Sequence, residues 1–180
     1  MKRLILIVPL VLFAAIAGLA YVMLNATLDG TRSVQSIGFS MTGKKMPAVS
    51  LPAMGASGTI DLEEWQGKAY AVNVFASWCG PCKLEAASID VMAEDIPVVG
   101  INYRDDAADA AAFLDQFGNP YTMIGIDEDG STSIRLGVHG LPETFIIDSN
   151  GIVLHHQQGP VFADDLTGSL GKAIRKATEG

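Results

Sequence analysis

Tyr70-Ala-Val-Asn-Val-Phe-Ala-Ser-Trp-Cys-Gly-Pro-Cys82 is the stretch on which the fold turns. Its first seven residues, Tyr70 to Ala76, are apolar on both faces apart from Asn73 and rich in β-branched and aromatic side chains, which predicts a buried strand. Beyond it, Leu84, Ala87, Ile89 and Val91-Met92 recur at helical spacing across Pro81 to Ala93, and Pro81 suits a first helical turn. Both cysteines of the chain, Cys79 and Cys82, therefore stand where a strand runs into a helix.

Working outward, Pro97 to Asn102 is a second buried strand, and Asp105 or Asp106 can cap a helix over Ala107 to Phe117 that Gly118-Asn-Pro120 ends. Tyr121 to Ile126 is a further strand, followed by a turn at Asp127 to Gly130 and a short helix at Ser131 to Leu136. Thr144 to Ile147 and Ile152 to His156 form a hairpin across Asp148-Ser-Asn-Gly151, and Ala163 to Ala177 is a closing helix. Upstream, Gln66-Gly-Lys68 is a turn and Thr59 to Leu62 a short edge strand. Strands alternating with helices and ending in an antiparallel hairpin predict an α/β fold, a mixed sheet with helices on both faces.

The chain has 180 residues, enough for one domain plus an appended segment, and a mean hydropathy of +0.30. The N-terminus carries the excess. No residue from Leu4 to Leu24 is charged, and 21 residues at about 1.5 Å each reach across a hydrocarbon core of roughly 30 Å. Lys2 and Arg3 precede the run, so the expected topology keeps the N-terminus in the cytoplasm and exports the remainder. Ala15-Ile-Ala17 resembles a signal-peptidase site, the competing reading, but apolarity continues well past it. The expected organisation is a transmembrane anchor at 1–24, a polar Gly/Ser/Thr-rich tether at 25–46 and a domain at 47–180, on the periplasmic side of the inner membrane.

Twelve basic against 20 acidic residues give a net charge of −8, and without Lys2 and Arg3 the exported part stands at −10. Such a balance argues against nucleic acid or anionic lipid surfaces as partners.

Residues three apart on a helix share a face, close enough for a disulfide that opens and closes with little backbone movement. At the helix N-terminus, free N–H groups and the dipole favour a thiolate at Cys79, which is expected to be exposed and to attack, while Cys82, one turn in, resolves the mixed disulfide. A purely structural disulfide gains little from closing so short a loop. Zinc needs two more ligands, and His155 and His156, adjacent in a strand, point to opposite faces. Haem attachment needs a histidine where Lys83 stands.

Trp78-Cys-Gly-Pro-Cys-Lys83 after an apolar strand resembles the thioredoxin active site. Gly137-Val-His-Gly-Leu-Pro-Glu-Thr-Phe-Ile-Ile-Asp148, together with Gly100-Ile-Asn-Tyr-Arg-Asp-Asp106 and Gly118-Asn-Pro-Tyr121, is similar to elements of the cytochrome c biogenesis thioredoxins, the CcmG/DsbE group. The resemblance covers roughly Gly43 to Pro160 and the N-terminal anchor. It implies a thioredoxin fold with an extra central helix, and a reductase of the CxxCH disulfide of apocytochrome c that is re-reduced by a transmembrane thiol carrier of the DsbD or CcdA type. It implies Pro142 as a cis-proline facing the cysteines, and Trp78 as a cap with its indole N–H turned outward. Gly80 and Pro81 form the spacer between the sulfurs. Asn73 stands where ordinary thioredoxins carry an aspartate, and the matching acidic positions are Glu85, on the helix, and Glu143, beside the groove. No cofactor beyond the Cys79–Cys82 pair is implied. The rival functions are a disulfide-forming oxidant of exported proteins and a non-catalytic apocytochrome-binding chaperone.

Overall fold

The computed structural model describes residues 12–18, 21 and 40–180. In the N-terminal unit, Met1–Phe39, residues 12–18 are helical. The greater part of the expected anchor, and residues 25–39 of the expected tether, lie outside the described residues. Among the described residues no helix is long and apolar enough to cross a membrane.

The second unit, Ser40–Gly180, is built on a five-stranded sheet. A small hairpin of β1 (Ser50–Pro52) and β2 (Thr59–Asp61) precedes a 3-10 turn at Leu62–Trp65. Then follow β3 (Tyr70–Phe75), α1 (Gly80–Asp95), β4 (Val98–Tyr103), α2 (Ala107–Phe117), β5 (Tyr121–Asp127), α3 (Ser131–Arg135), β6 (Glu143–Ile147), β7 (Val153–Gln158), α4 (Ala163–Thr167) and α5 (Ser169–Glu179). The strand order is β5-β4-β3-β6-β7, with β3 central, parallel to β4 and antiparallel to β6. This is a thioredoxin-like α/β fold, and α2 with β5 extends it on one side.

All six residues of β3 are buried, as its continuous apolar run requires. Tyr70, Val72 and Val74 face one core with Leu51, Ile60, Leu62 and Leu136. Ala71 and Phe75 face the other side, where Ile89 and Met92 of α1, Phe113 of α2 and Leu170 and Ile174 of α5 pack. Helices thus lie on both faces, but unequally. Long helices cover one face; the β1–β2 hairpin, the 3-10 turn and the end of the short α3 cover the other.

Two glycines permit close approach. A Cβ at Gly125 would lie 2.6 Å from Ile60 Cδ1 and 2.8 Å from Leu51 Cβ, so only glycine lets the hairpin settle on β5. At Gly100 it would meet the Tyr121 ring at 3.0 Å and Phe75 at 3.1 Å, two rings that stack with centroids 4.8 Å apart.

The domain begins earlier than Pro47. Gly43 N–H donates to Val153 O, Met46 N–H to Gly151 O, and Met46 is buried in the core, so residues 40–46 belong to the domain rather than to a tether. Their polar composition misled because they add along a sheet edge, where only the backbone need be matched. The closing helix is also interrupted at Gly168, a poor helix former preceded by Thr167, whose hydroxyl donates to Asp164 O and competes with the helical ladder.

Candidate active site

Strand β3 ends at Phe75, and the chain turns through Ala76-Ser-Trp78 into α1, whose N-cap is Cys79. The Cys79 sulfur accepts the Cys82 N–H at 3.1 Å, so the first turn aims a free backbone donor at this atom. Gly80 opens the helix and Pro81 follows, where a missing N–H costs no helical bond. The two sulfurs form a disulfide, with Cα atoms 5.3 Å apart.

Cys79 is only 3% exposed and Cys82 2%, so the expected exposure of Cys79 is corrected. What separates the two is the side they face. Cys79 lines an open cleft of about 380 Å³ with Trp78, Gly80, Pro81, Tyr103 and the Val138–Leu141 segment. Cys82 borders a narrow inner pocket with Phe75, Glu85, Ile89 and Tyr121. The Leu141–Pro142 peptide bond is cis, and the segment leading to it forms the wall of the cleft opposite the helix. Another hollow of similar size, between Lys45, Trp65 and Gly151, lies away from the sulfurs.

Trp78 is 58% exposed, yet its indole N–H does not turn outward as expected; it donates to Arg104 O at 3.1 Å. Asp105 holds the same junction from below. Its carboxylate accepts Ser77 N–H and Ser77 Oγ–H, each at 2.6 Å, and the Asn102 amide at 2.9 Å. Of the two aspartates expected as alternative helix caps, Asp106 is the cap, and Asp105 serves this junction instead.

Asn73 is fully buried under the helix. Its amide donates to Glu85 Oε1 at 2.9 Å and to Thr144 Oγ1 at 3.0 Å, and its Oδ1 accepts the Tyr121 hydroxyl at 2.7 Å. Glu85 completes its pairing through Oε2, which accepts Val161 N–H at 2.9 Å. Far from being a solvated helix charge, Glu85 is 2% exposed, and burial pushes its pKa up to about 7 against the pull of those two hydrogen bonds. Burial, then the nearby Glu85 and Asp90, hold Tyr121 well above the usual phenol range, so it keeps its proton and donates.

Glu143 does not border the cleft as expected. Its side chain is buried on the opposite face of β6 from Thr144, where Oε1 accepts His139 N–H at 2.9 Å and Gly140 N–H at 3.2 Å, and Oε2 meets His156 Nε2 at 2.6 Å. Ser77, Asp105, Tyr121 and Thr144 join the site without being expected there, and His156 joins it in a role other than the zinc ligation weighed for it. Asp105, Tyr121 and Thr144 fall inside the family-like stretches, the one signal that points to them, whereas strand pairing and loop contacts alone bring Ser77 and His156 here.

An α/β sheet with a Cys-Gly-Pro-Cys pair capping a helix, faced across a cleft by a cis-proline segment, defines a thiol:disulfide oxidoreductase of thioredoxin type. The redoxin family model matches residues 41–169. Thiol:disulfide interchange protein DsbE of Escherichia coli (strain K12) is 38% identical over 164 residues, 88% of this chain and 87% of that protein. DsbE of Pseudomonas fluorescens biotype C is 40% identical over 154 residues, covering 85% and 83%. Thiol:disulfide interchange protein HelX of Rhodobacter capsulatus is 32% identical over 169 residues, covering 93% of each. Among solved structures, one described as a DsbE from Chlorobium tepidum superposes with a TM-score of 0.64 at 31% identity, covering 74% of this chain and 97% of its own. The chain belongs to the redoxin family, among the DsbE/HelX thiol:disulfide interchange proteins.

Proposed function

We propose that this oxidoreductase works as a reductase, on the CxxCH disulfide of apocytochrome c at the outer face of the cytoplasmic membrane, anchored there by residues 4–24. The observation that supports it is the unequal placement of the sulfurs: Cys79 lines the cleft, and Cys82 lies behind it beside Glu85.

In the reduced protein the Cys79 thiolate attacks one sulfur of the substrate disulfide, forming a mixed disulfide and expelling the other substrate sulfur as a thiolate. Cys82 then gives up its proton and attacks the Cys79 sulfur, releasing the second substrate thiol. Two electrons pass to the substrate and the Cys79–Cys82 disulfide is left. Glu85, with its pKa near 7, is partly ionised at neutral pH and is the acceptor for the Cys82 proton. A transmembrane thiol carrier of the DsbD or CcdA type returns the electrons. The DsbE and HelX relatives are named for thiol:disulfide interchange, which agrees with this chemistry.

The test is entrapment. Cys82→Ser should accumulate an apocytochrome c joined to Cys79 through its CxxCH cysteines and released by dithiothreitol, whereas Cys79→Ser should trap nothing. Capture of reduced exported proteins alone, with the wild-type pair found mainly oxidised in cells, would identify an oxidant instead.

A further inference from the structure

The wall of the cleft opposite α1 is made by Val138, His139, Gly140 and Leu141. His139 and Gly140 are exposed residues, yet both of their N–H groups point inward to one buried carboxylate oxygen, Glu143 Oε1. That carboxylate is held in turn. Its other oxygen lies 2.6 Å from His156 Nε2, and the His156 ring stacks on Phe145 with centroids 4.1 Å apart. The tautomer follows from the far side of the ring, where Nδ1 accepts the Met41 N–H at 3.2 Å, so the ring proton sits on Nε2 and is donated to Glu143. Three separate stretches of the chain thus form one line: Met41 N–H to His156, His156 to Glu143, and Glu143 to the His139 and Gly140 amides of the cleft wall.

We infer that His156 is a positioning residue for thiol–disulfide exchange: acting through Glu143, it fixes the His139–Gly140 wall against which a peptide substrate must lie to bring its disulfide to Cys79. A buried carboxylate that accepts three donors is satisfied, and the loss of one frees the group to reorient or to recruit water. The amides it holds would move with it, and the cleft would lose its shape while the sulfurs keep theirs. The role belongs to substrate fit, not to the reacting atoms. It rests on the thiol:disulfide reading of the site, which a small disulfide tests separately because it needs no cleft wall.

The experiment compares two probes on the full chain: a disulfide-bonded CxxCH peptide, and the aromatic disulfide 5,5′-dithiobis(2-nitrobenzoate). In His156→Phe, which keeps a ring against Phe145 but offers no donor, the peptide KM should rise about tenfold with kcat little changed, and the aromatic disulfide should react at the wild-type rate. His156→Gln, which restores a donor toward Glu143, should bring the peptide KM most of the way back. Equal losses with both probes would mean that His156 only supports folding, and no change with either would mean that the wall stands without it; both overturn the inference. Should His156→Phe not fold, amide exchange in the wild-type protein decides. The His139 and Gly140 amides must be protected although their residues are exposed, and rapid exchange at both would sink the proposal.

Discussion

The Asn73 side chain donates to Glu85 Oε1 at 2.9 Å, so the buried acid beneath the cysteines comes from the helix and the strand beneath it supplies a neutral partner. This exchanges the arrangement that the thioredoxin resemblance implies, where the strand position is the acid. Asn73 suits the new role because an amide both donates and accepts. It joins Glu85, Thr144 and Tyr121 at one point, from three different elements.

The raised pKa of Glu85 makes stability depend on pH in a stated direction. Below about pH 4.5 the group is protonated folded and unfolded alike and contributes no difference. As pH rises toward 7 the unfolded chain releases this proton while the folded protein retains it, so stability falls across that window and is level above it. A shift from 4.5 to about 7 corresponds to about 3 kcal/mol. Between pH 4.5 and pH 8, Glu85→Gln should therefore gain about 3 kcal/mol relative to wild type, read by urea unfolding at both values. A pH-independent difference between the two proteins would show that Glu85 is not held protonated.

Restoring an aspartate at residue 73 should harm the protein rather than broaden its activity. Asn73→Asp sets a second carboxylate beside Glu85 and removes the donor to Thr144. Two buried carboxylates cannot both ionise at that distance, so one stays protonated or the site opens. The expected loss is about 3 kcal/mol at pH 8, smaller at pH 5, where a shared proton bridges the pair. Thermal melts at the two pH values give the answer, and a variant as stable as wild type at pH 8 would contradict it.

Asp105 is expected to matter more than its half-buried position on a loop suggests. Asp105→Ala removes the acceptor for Ser77 and for the Asn102 amide, and Asn102 Oδ1 already has no protein partner. A destabilisation of about 2–4 kcal/mol follows from leaving such buried donors unmatched. Because the Ser77 backbone immediately precedes Trp78, the near-ultraviolet circular dichroism of the folded variant should weaken as well. An unaltered tryptophan signal would locate the support for that junction elsewhere.

How much of this could be read from the chain divides along a physical line. The strand–helix junction at Cys79 is local: a continuous apolar run, a proline in the first turn and helical spacing after it determine the geometry within about twenty residues. The helix at Ala107–Phe117 carries equally local signals and falls where its cap and its Gly-Asn-Pro stop place it. Glu143 is expected beside the cleft but lies buried behind its wall, since a side chain's face depends on strand register, and β6 turns Thr144 to the helices and Glu143 away from them. His156 was weighed only as a poor zinc ligand. Its importance comes from facing Phe145 across a strand pair and meeting Met41 from 115 positions away, neither of which any periodicity encodes.

The N-terminal segment of the domain has a consequence for solubility. Residues 43–46 bond to the outer side of β7, through Gly43 to Val153 and Lys45 opposite Ile152, and the same segment crosses the sheet to bond β5 through Ala53 opposite Gly125 and Met54 N–H to Ile124 O. One strap of chain thereby occupies part of both free edges of the five-stranded sheet. Open edges are templates for adding strands from other molecules, a route to aggregation. A fragment begun at Pro47, the boundary that composition suggests, would retain every catalytic residue and lose the cover on β7. Such a fragment should self-associate as it is concentrated, whereas one begun at Ser40 should stay monodisperse under the same conditions.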